Sequence, residues 1–214
     1  MNDKDFWNSQ DITAYFASKP ADPRIEAFLD NYQVGSGKRA LDLGCGGGRH
    51  SELLAKRGFT VASIDVNPEM LATTKERLVH AGLKTEVREG SILHIPYQNA
   101  AFDIVVTTGV LHQAETTEQY DQAVAELARV MKSGAYVLLN IFTNKDWDDT
   151  YTTMSEDGFT VRTKEGLLMT LLPRETFVSL MEKHGLTLTD EQGEDTKMEN
   201  TGPRTVYRAF FQKR

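Results

Sequence analysis

Ala40-Leu-Asp-Leu-Gly-Cys-Gly-Gly-Gly-Arg-His50 is the stretch that decides the fold. Its first four residues read as a short buried strand carrying one acid, Asp42, and glycine fills four of the next five positions. From Arg49 to Arg57 the pattern becomes helical, with Leu53 and Leu54 on the inner side. Strand, glycine turn and helix in that order open a nucleotide-binding βαβ unit. Glycine is needed where the backbone turns sharply with positive φ and lets a ligand lie against bare peptide. The spacing also discriminates between ligands. A dinucleotide fingerprint places Gly at relative positions one, three and six, and position six here is Arg49. The chain reads Asp42-x-Gly44-x-Gly46-x-Gly48 instead.

Outward from that stretch the alternation of strands and helices continues. Gly58 stops the first helix, and Thr60 to Ile64 form a second strand closing on Asp65. Asp65 lies about 20 residues past the glycine turn, where such units place the acid that holds a ribose. A carboxylate there accepts charge-assisted hydrogen bonds from both ribose hydroxyls. Asn67 reads as the N-cap of the next helix, with Pro68 and Glu69 in its first turn and Gly82 as its stop. Val66 and Met70 are placed to sandwich an adenine, or equally to fill core. Thr85 to Glu89 make a third strand, followed by Gly90-Ser91-Ile92. Phe102 to Thr108 are almost unbroken apolar residues, as in a strand buried on both faces. Asp103 opens this strand and reads as structural. At the strand's carboxyl end stand Thr108, Gly109 and His112, on the side where open α/β sheets bind ligands. Thr116-x-x-Gln119 is a capping-box start to a fourth helical segment, and Gly134 makes the turn into a fifth strand, Tyr136 to Phe142. Pro173 to His184 read as a helix. Leu186 to Thr189 and Thr205 to Gln212 are the last strands, joined by a polar loop from Asp190 to Arg204.

Two stretches resist this rhythm. In residues 1–32 a helix is readable only around Arg24 to Tyr32, while Trp7 and Tyr15 lie among polar residues as if covering something. Residues 143–172 are too long for a plain connection and show no helix or strand period, which points to a functional loop or lid. Both are expected to form a mobile cover, with Trp7, Tyr15, Trp147 and Tyr151 offering contacts to a substrate. The whole chain, 1–214, reads as a single domain with these two segments attached.

Composition narrows the partners. Of 214 residues, 31 are acidic and 24 basic, a net charge of −7, which lacks the footprint of nucleic-acid binding. Cys45 is the only cysteine, so neither an internal disulfide nor a cysteine-rich metal site is available, and no metal is expected. No apolar run approaches membrane-spanning length and the start has no apolar signal core, so a cytoplasmic protein without a membrane partner is expected.

The Asp-x-Gly-x-Gly-x-Gly pattern, Asp65, the Pro96-Tyr97 to Phe102-Asp103 stretch and the Lys132-Ser-Gly134-Ala135 turn together resemble class I S-adenosylmethionine-dependent methyltransferases. The resemblance is to the small methyltransferase type 11 and tellurite-resistance-like group, and it covers roughly Arg39 to Phe142. It implies a doubly wound α/β fold with a mostly parallel seven-stranded sheet whose last strand is antiparallel. It also implies S-adenosylmethionine as cofactor, S-adenosylhomocysteine as product and a small-molecule methyl acceptor. Carried over by position, Asp42 would reach the methionine end, while Gly44, Cys45 and Gly46 supply bare backbone. Asp65 would hold the ribose, Val66 and Met70 the adenine faces, and Ser91 and Ile92 the adenine edge. Thr108 and Gly109 would meet the methionine amino group through backbone. Ser91 departs from the Asp usual at its position and offers only a hydroxyl. Displacement at a sulfonium needs alignment and exclusion of water more than covalent help. A base is required only if the acceptor arrives protonated, and His112 is the one candidate. Two other classes remain open: a non-catalytic binder of the same cofactor acting as regulator or partner subunit, and an NAD(P)-dependent oxidoreductase, against which Arg49 argues.

Overall fold

The computed structural model describes residues 9–31, 37–145, 150–199 and 202–214. Its centre is β1 (Arg39–Leu43) beside β4 (Phe102–Thr108), two strands with little exposed surface. Around them lie β2 (Thr60–Asp65), β3 (Glu86–Glu89), β5 (Met131–Thr143), β9 (Leu186–Glu199) and β10 (Gly202–Lys213). The sheet order is β3-β2-β1-β4-β5-β10-β9. Strands β1 to β5 pair in parallel, and β10 runs antiparallel to both β5 and β9. This is the doubly wound sheet that the alternating pattern predicts, with the final strand reversed. The order switches direction between β1 and β4, which puts the glycine turn at the crevice where such sheets bind ligands.

Side-chain alternation divides the core into two layers. Leu41, Leu43, Val105 and Leu139 join one buried cluster with Tyr120, Val124 and Leu127 of α5 (Thr117–Val130). Ala40, Ile104, Val106 and Leu138 face the other way, against α2 (Pro23–Asn31) and α3 (Arg49–Lys56), through Ile25, Phe28, Leu53 and Leu54. The capping signals act as read. Asn67 Oδ1 accepts from Glu69 N and Met70 N at the start of α4 (Pro68–His80), and Thr116 Oγ1 accepts from Gln119 N at the start of α5. Asp103 is structural, accepting from Arg39 N at 2.9 Å and Lys132 Nζ at 2.8 Å.

Three expectations are corrected. The first segment is not aperiodic: Gln10–Ser18 form a helix, α1, with Ser9 Oγ accepting from Ile12 N. Residues 143–172 are not irregular where they are described. They carry a three-stranded antiparallel sheet of β6 (Thr152–Thr153), β7 (Thr160–Arg162) and β8 (Leu168–Thr170). Val161, Leu167, Met169 and Leu171 give it a small core of its own. The supposed loop from Asp190 to Arg204 is mostly strand, because β9 pairs with β10 along nearly its whole length. Its charged residues suit an edge strand, where they deter further pairing.

Helix α1 lies directly on the glycine turn. A Cβ added at Gly47 would sit 2.6 Å from the Phe16 carbonyl oxygen and 2.7 Å from Ala17 N. Arg77 of α4 fixes the contact by donating to Ala17 O at 2.9 Å and Gly47 O at 3.3 Å. Gly47 has no positive φ, so its need for glycine is steric. Gly47→Ala should therefore push α1 off the loop and cost about 1–3 kcal/mol, the usual range for overpacking. Urea denaturation measures the loss, and faster amide exchange confined to residues 10–18 would locate it. An unchanged exchange rate in α1 would refute the contact.

Candidate functional site

The site is built from the carboxyl end of β2. The Ile64 carbonyl accepts both Gly44 N, at 2.8 Å, and Cys45 N, at 2.9 Å. These two amides are therefore committed to the fold, and what Gly44 and Cys45 can offer a ligand is the bare surface of the turn. Gly44 adopts φ 70°, and a Cβ there would strike the Val110 side chain. Gly46 N donates to Asp65 Oδ2 at 2.9 Å, so that amide too is engaged, while Asp65 Oδ1 accepts from Asn67 N at 3.0 Å. The Asp65 carboxylate is thus clamped between glycine turn and helix cap, with a further lone pair on each oxygen. Burial raises its pKa, against the lowering effect of the Gly46, Asn67 and Val66 amides.

Next to this acid, Val66 is 63% exposed, an uncovered apolar face at the mouth of the site. Met70 is only 3% exposed, so the expected pair does not flank an open slot. Met70 faces inward because it lies on the inner side of α4, one turn from Asn67. Gly90 N donates to Asp65 O at 3.0 Å, which brings Ser91 and Ile92 alongside. Ser91 Oγ is already accepting from Leu93 N at 3.1 Å and holds the turn with His94, so its hydroxyl is partly committed. Ile92 packs against the core.

Asp42 is 2% exposed and heads a buried relay in which Ser63 Oγ–H donates to Ser51 Oγ, which donates to Asp42 Oδ2 at 2.6 Å. Burial raises its pKa to about 6, against the lowering effects of the Ser51 hydrogen bonds and Arg49. Arg49 was read only as a break in a dinucleotide pattern. Its guanidinium bears electrostatically on Asp42, and its Nη2 is 3.5 Å from Thr108 Oγ1. Beside it His50 is buried and neutral: Nε2 accepts from Asp22 N at 3.2 Å, and burial lowers its pKa to about 3. Gly109 N donates to the Asn140 carbonyl at 3.1 Å, and an amino group, itself a donor, would meet the acceptor oxygens of this turn. Register places Asn140 opposite Thr108, partly exposed at the same end of the sheet.

Residues 41–139 match the family model described as a methyltransferase domain. Over that stretch the chain resembles a methyltransferase domain. It is 28% identical over 186 residues to methyltransferase GfsG of Streptomyces halstedii, covering 85% of this chain and 64% of the relative. The matched part spans between 37% and 64% of the length of these curated relatives. Among solved structures, it shares the fold of the Burkholderia thailandensis 1,6-didemethyltoxoflavin-N1-methyltransferase bound to 1,6-didemethyltoxoflavin and S-adenosylhomocysteine. There the TM-score is 0.65 at 16% identity, covering 89% of this chain and 77% of that one. It also shares the fold of the [4+2]-cyclase SpnF, with TM-score 0.63 at 15% identity over 89% and 80% of the two chains.

The structure places the remaining expected residues as follows. His112 is fully buried, and its Nδ1 accepts from Phe142 N at 3.1 Å. Burial and the neighbouring Arg204 charge lower its pKa to about 3. With Nδ1 taken, the proton resides on Nε2, and neither nitrogen is free to remove a proton. The expectation of a base is therefore corrected. Tyr15 is 47% exposed on α1, under the Lys19 ammonium. Tyr151 is not presented to a ligand, since its hydroxyl donates to Pro203 O at 2.9 Å and its ring lies under Arg204. Trp7 and Trp147 lie outside the described residues. Helix α1 and Arg49 are what sequence reasoning missed. For α1 the signal was present: Ser9 as cap, then Ile12, Tyr15 and Phe16 at helical spacing.

Asp42 gives a pH test with a definite sign. Its native pKa exceeds the unfolded value, so between about pH 4 and 6 the native state binds more protons. Its contribution to stability is full below pH 4 and is lost as pH rises through 6. Asp42→Asn keeps an acceptor for Ser51 and removes the buried charge. It should raise stability by about 1–3 kcal/mol at pH 8, with the gain vanishing near pH 4. Denaturant titration across that range measures it, and a gain independent of pH would point to another cause.

Proposed function

We propose that the chain transfers a methyl group from S-adenosylmethionine to a small-molecule acceptor. The observation that carries this reading is the clamped carboxylate of Asp65, held by Gly46 N and Asn67 N beside the exposed Val66. Asp65 would accept the ribose hydroxyls, Val66 would face the adenine, and the Ser91-Ile92 turn would border its edge. The carbonyls of Thr108 and Gly109 would accept from the methionine ammonium, with Asp42 supplying negative charge behind them. Arg49 is the cation placed to pair with the methionine carboxylate. When bound, the cofactor supplies an already activated methyl group. The chain's own part is to orient an acceptor lone pair and exclude water, with α1 covering the glycine turn on one side.

The acidic balance of the chain favours a small acceptor over nucleic acid, and with it goes a cytoplasmic setting. A second reading is that the chain binds the cofactor without methyl transfer. It is favoured by the absence of a free base at His112 and by the shared fold with a protein named as a cyclase.

Calorimetric titration should give one site for S-adenosylhomocysteine and no comparable affinity for NADH. Asp65→Ala should weaken that binding by roughly 2–4 kcal/mol, as for two charge-assisted hydrogen bonds, with the fold retained. Formation of S-adenosylhomocysteine on addition of acceptors then separates enzyme from binder. Saturable NADH binding without any response to S-adenosylhomocysteine would overturn the reading.

A further inference from the structure

His112 has a second nitrogen that no described residue uses. The imidazole lies in the 3-10 turn Leu111–Gln113, just past Gly109, with its ring stacked on Phe142 at a centroid distance of 4.1 Å. Stacking sets the plane of the ring, and the Phe142 N–H on Nδ1 sets its tautomer. Nε2–H is buried and has no hydrogen-bond partner among the described residues. Native interiors seldom keep a buried donor unpaired, since its lost hydration goes uncompensated. The turn also stands at the carboxyl ends of β4 and β5, beside Gly109 and Asn140, where the transferred methyl group would lie.

We propose that His112 holds the methyl acceptor as a hydrogen-bond donor, Nε2–H pointing to an oxygen of that molecule. This rests on the methyl-transfer reading above. A donor selects by chemistry. An oxygen with lone pairs accepts from it, whereas an alkylammonium has only protons to offer and would set donor against donor. Arg204 is the charged group that bears on this ring, and its positive field also disfavours an ammonium. The oxygen held is a neighbour of the reacting one, because a lone pair tied to N–H is a poorer nucleophile. The reacting oxygen forms the new C–O bond as the C–S bond breaks and sulfur keeps the electron pair. The acceptor gives the proton of its reacting oxygen to water before it is enclosed and so reacts as the oxyanion, and His112 keeps its own proton throughout. Thr170 Oγ1, donating to the Ala114 carbonyl at 2.8 Å, closes the small sheet over the turn, so the acceptor enters by parting that contact.

Catechol, with two adjacent oxygens, is a suitable probe, and benzylamine is its cationic counterpart. The test uses the full chain saturated with S-adenosylhomocysteine and follows the His112 Nε2–H proton by NMR, identified by its loss in His112→Asn. The resonance should show a neutral Nε2–H tautomer unchanged from pH 5 to 8, and it should move on adding catechol and not benzylamine. His112→Asn retains an acceptor for Phe142 N but no donor at the Nε2 position, and should weaken catechol binding about fivefold to tenfold. His112→Gln, whose amide reaches further, should recover most of the loss, while affinity for S-adenosylhomocysteine stays unchanged in both variants. If His112→Asn does not fold, loss of the resonance in His112→Gln identifies it, and its response to catechol in the wild-type chain decides. Titration of the ring within that pH range, or a resonance indifferent to catechol because an internal water holds it, overturns the proposal. Failure of S-adenosylhomocysteine to bind at all would instead strike the reading beneath it.

Discussion

The end of β2 holds the glycine turn in place, and the rest of the site depends on that hold. Ile64 receives two amides of the turn on one carbonyl oxygen, and Asp65 receives a third on its carboxylate. The same carboxylate accepts from Asn67 N, so the turn, the strand end and the cap of α4 form one rigid unit. Such an arrangement costs nothing to organise when a ligand arrives, because the donors that aim the acid are already in place. It also explains the burial of Asp65. A half-buried carboxylate without those amides would be driven toward its neutral form and lose its value as a strong acceptor.

Much of this was legible in the chain because it rests on local chemistry. Asp42, the alternate glycines and Asp65 are tied to their places by backbone geometry that few other residues satisfy. Asn67 and Thr116 announce helix starts by side-chain hydrogen bonds only two or three residues long. The strand order follows from the same sequence of apolar runs, since parallel strands joined by helices have few ways to close. Asp103 was readable as structural from its place at the foot of β4, and it does pair there with Lys132.

What escaped the reading depends on contacts distant in sequence. Polar residues in β9 look like a loop until β10 supplies a ladder for them. Thr160 and Thr170 seem suited to turns, yet their hydroxyls meet each other across the small sheet at 3.3 Å. The tautomer of His112 is set by an amide thirty positions away, on a strand edge that β4 leaves uncovered. No periodicity reveals such a pairing. The glycine spacing marks Arg49 only as a residue that is not glycine, whereas its function would follow from where a long side chain can reach.

The two parts of the site therefore differ in kind. On the cofactor side, the backbone of a strand end and a glycine turn aims one acid, so any chain with this pattern can build nearly the same cradle. On the proposed acceptor side, selection would fall to side chains held by tertiary contacts: the imidazole stacked on Phe142, the partly exposed Asn140, and the small sheet fastened to Ala114 through Thr170. Changes there leave the sheet and the glycine turn untouched, because none of those residues supports the Ile64 and Asp65 contacts. A fold divided in this way can keep its cofactor while changing what it acts upon. It follows that the glycine pattern is uninformative about the acceptor, and that on the proposal above the acceptor would be read from His112 and its neighbours.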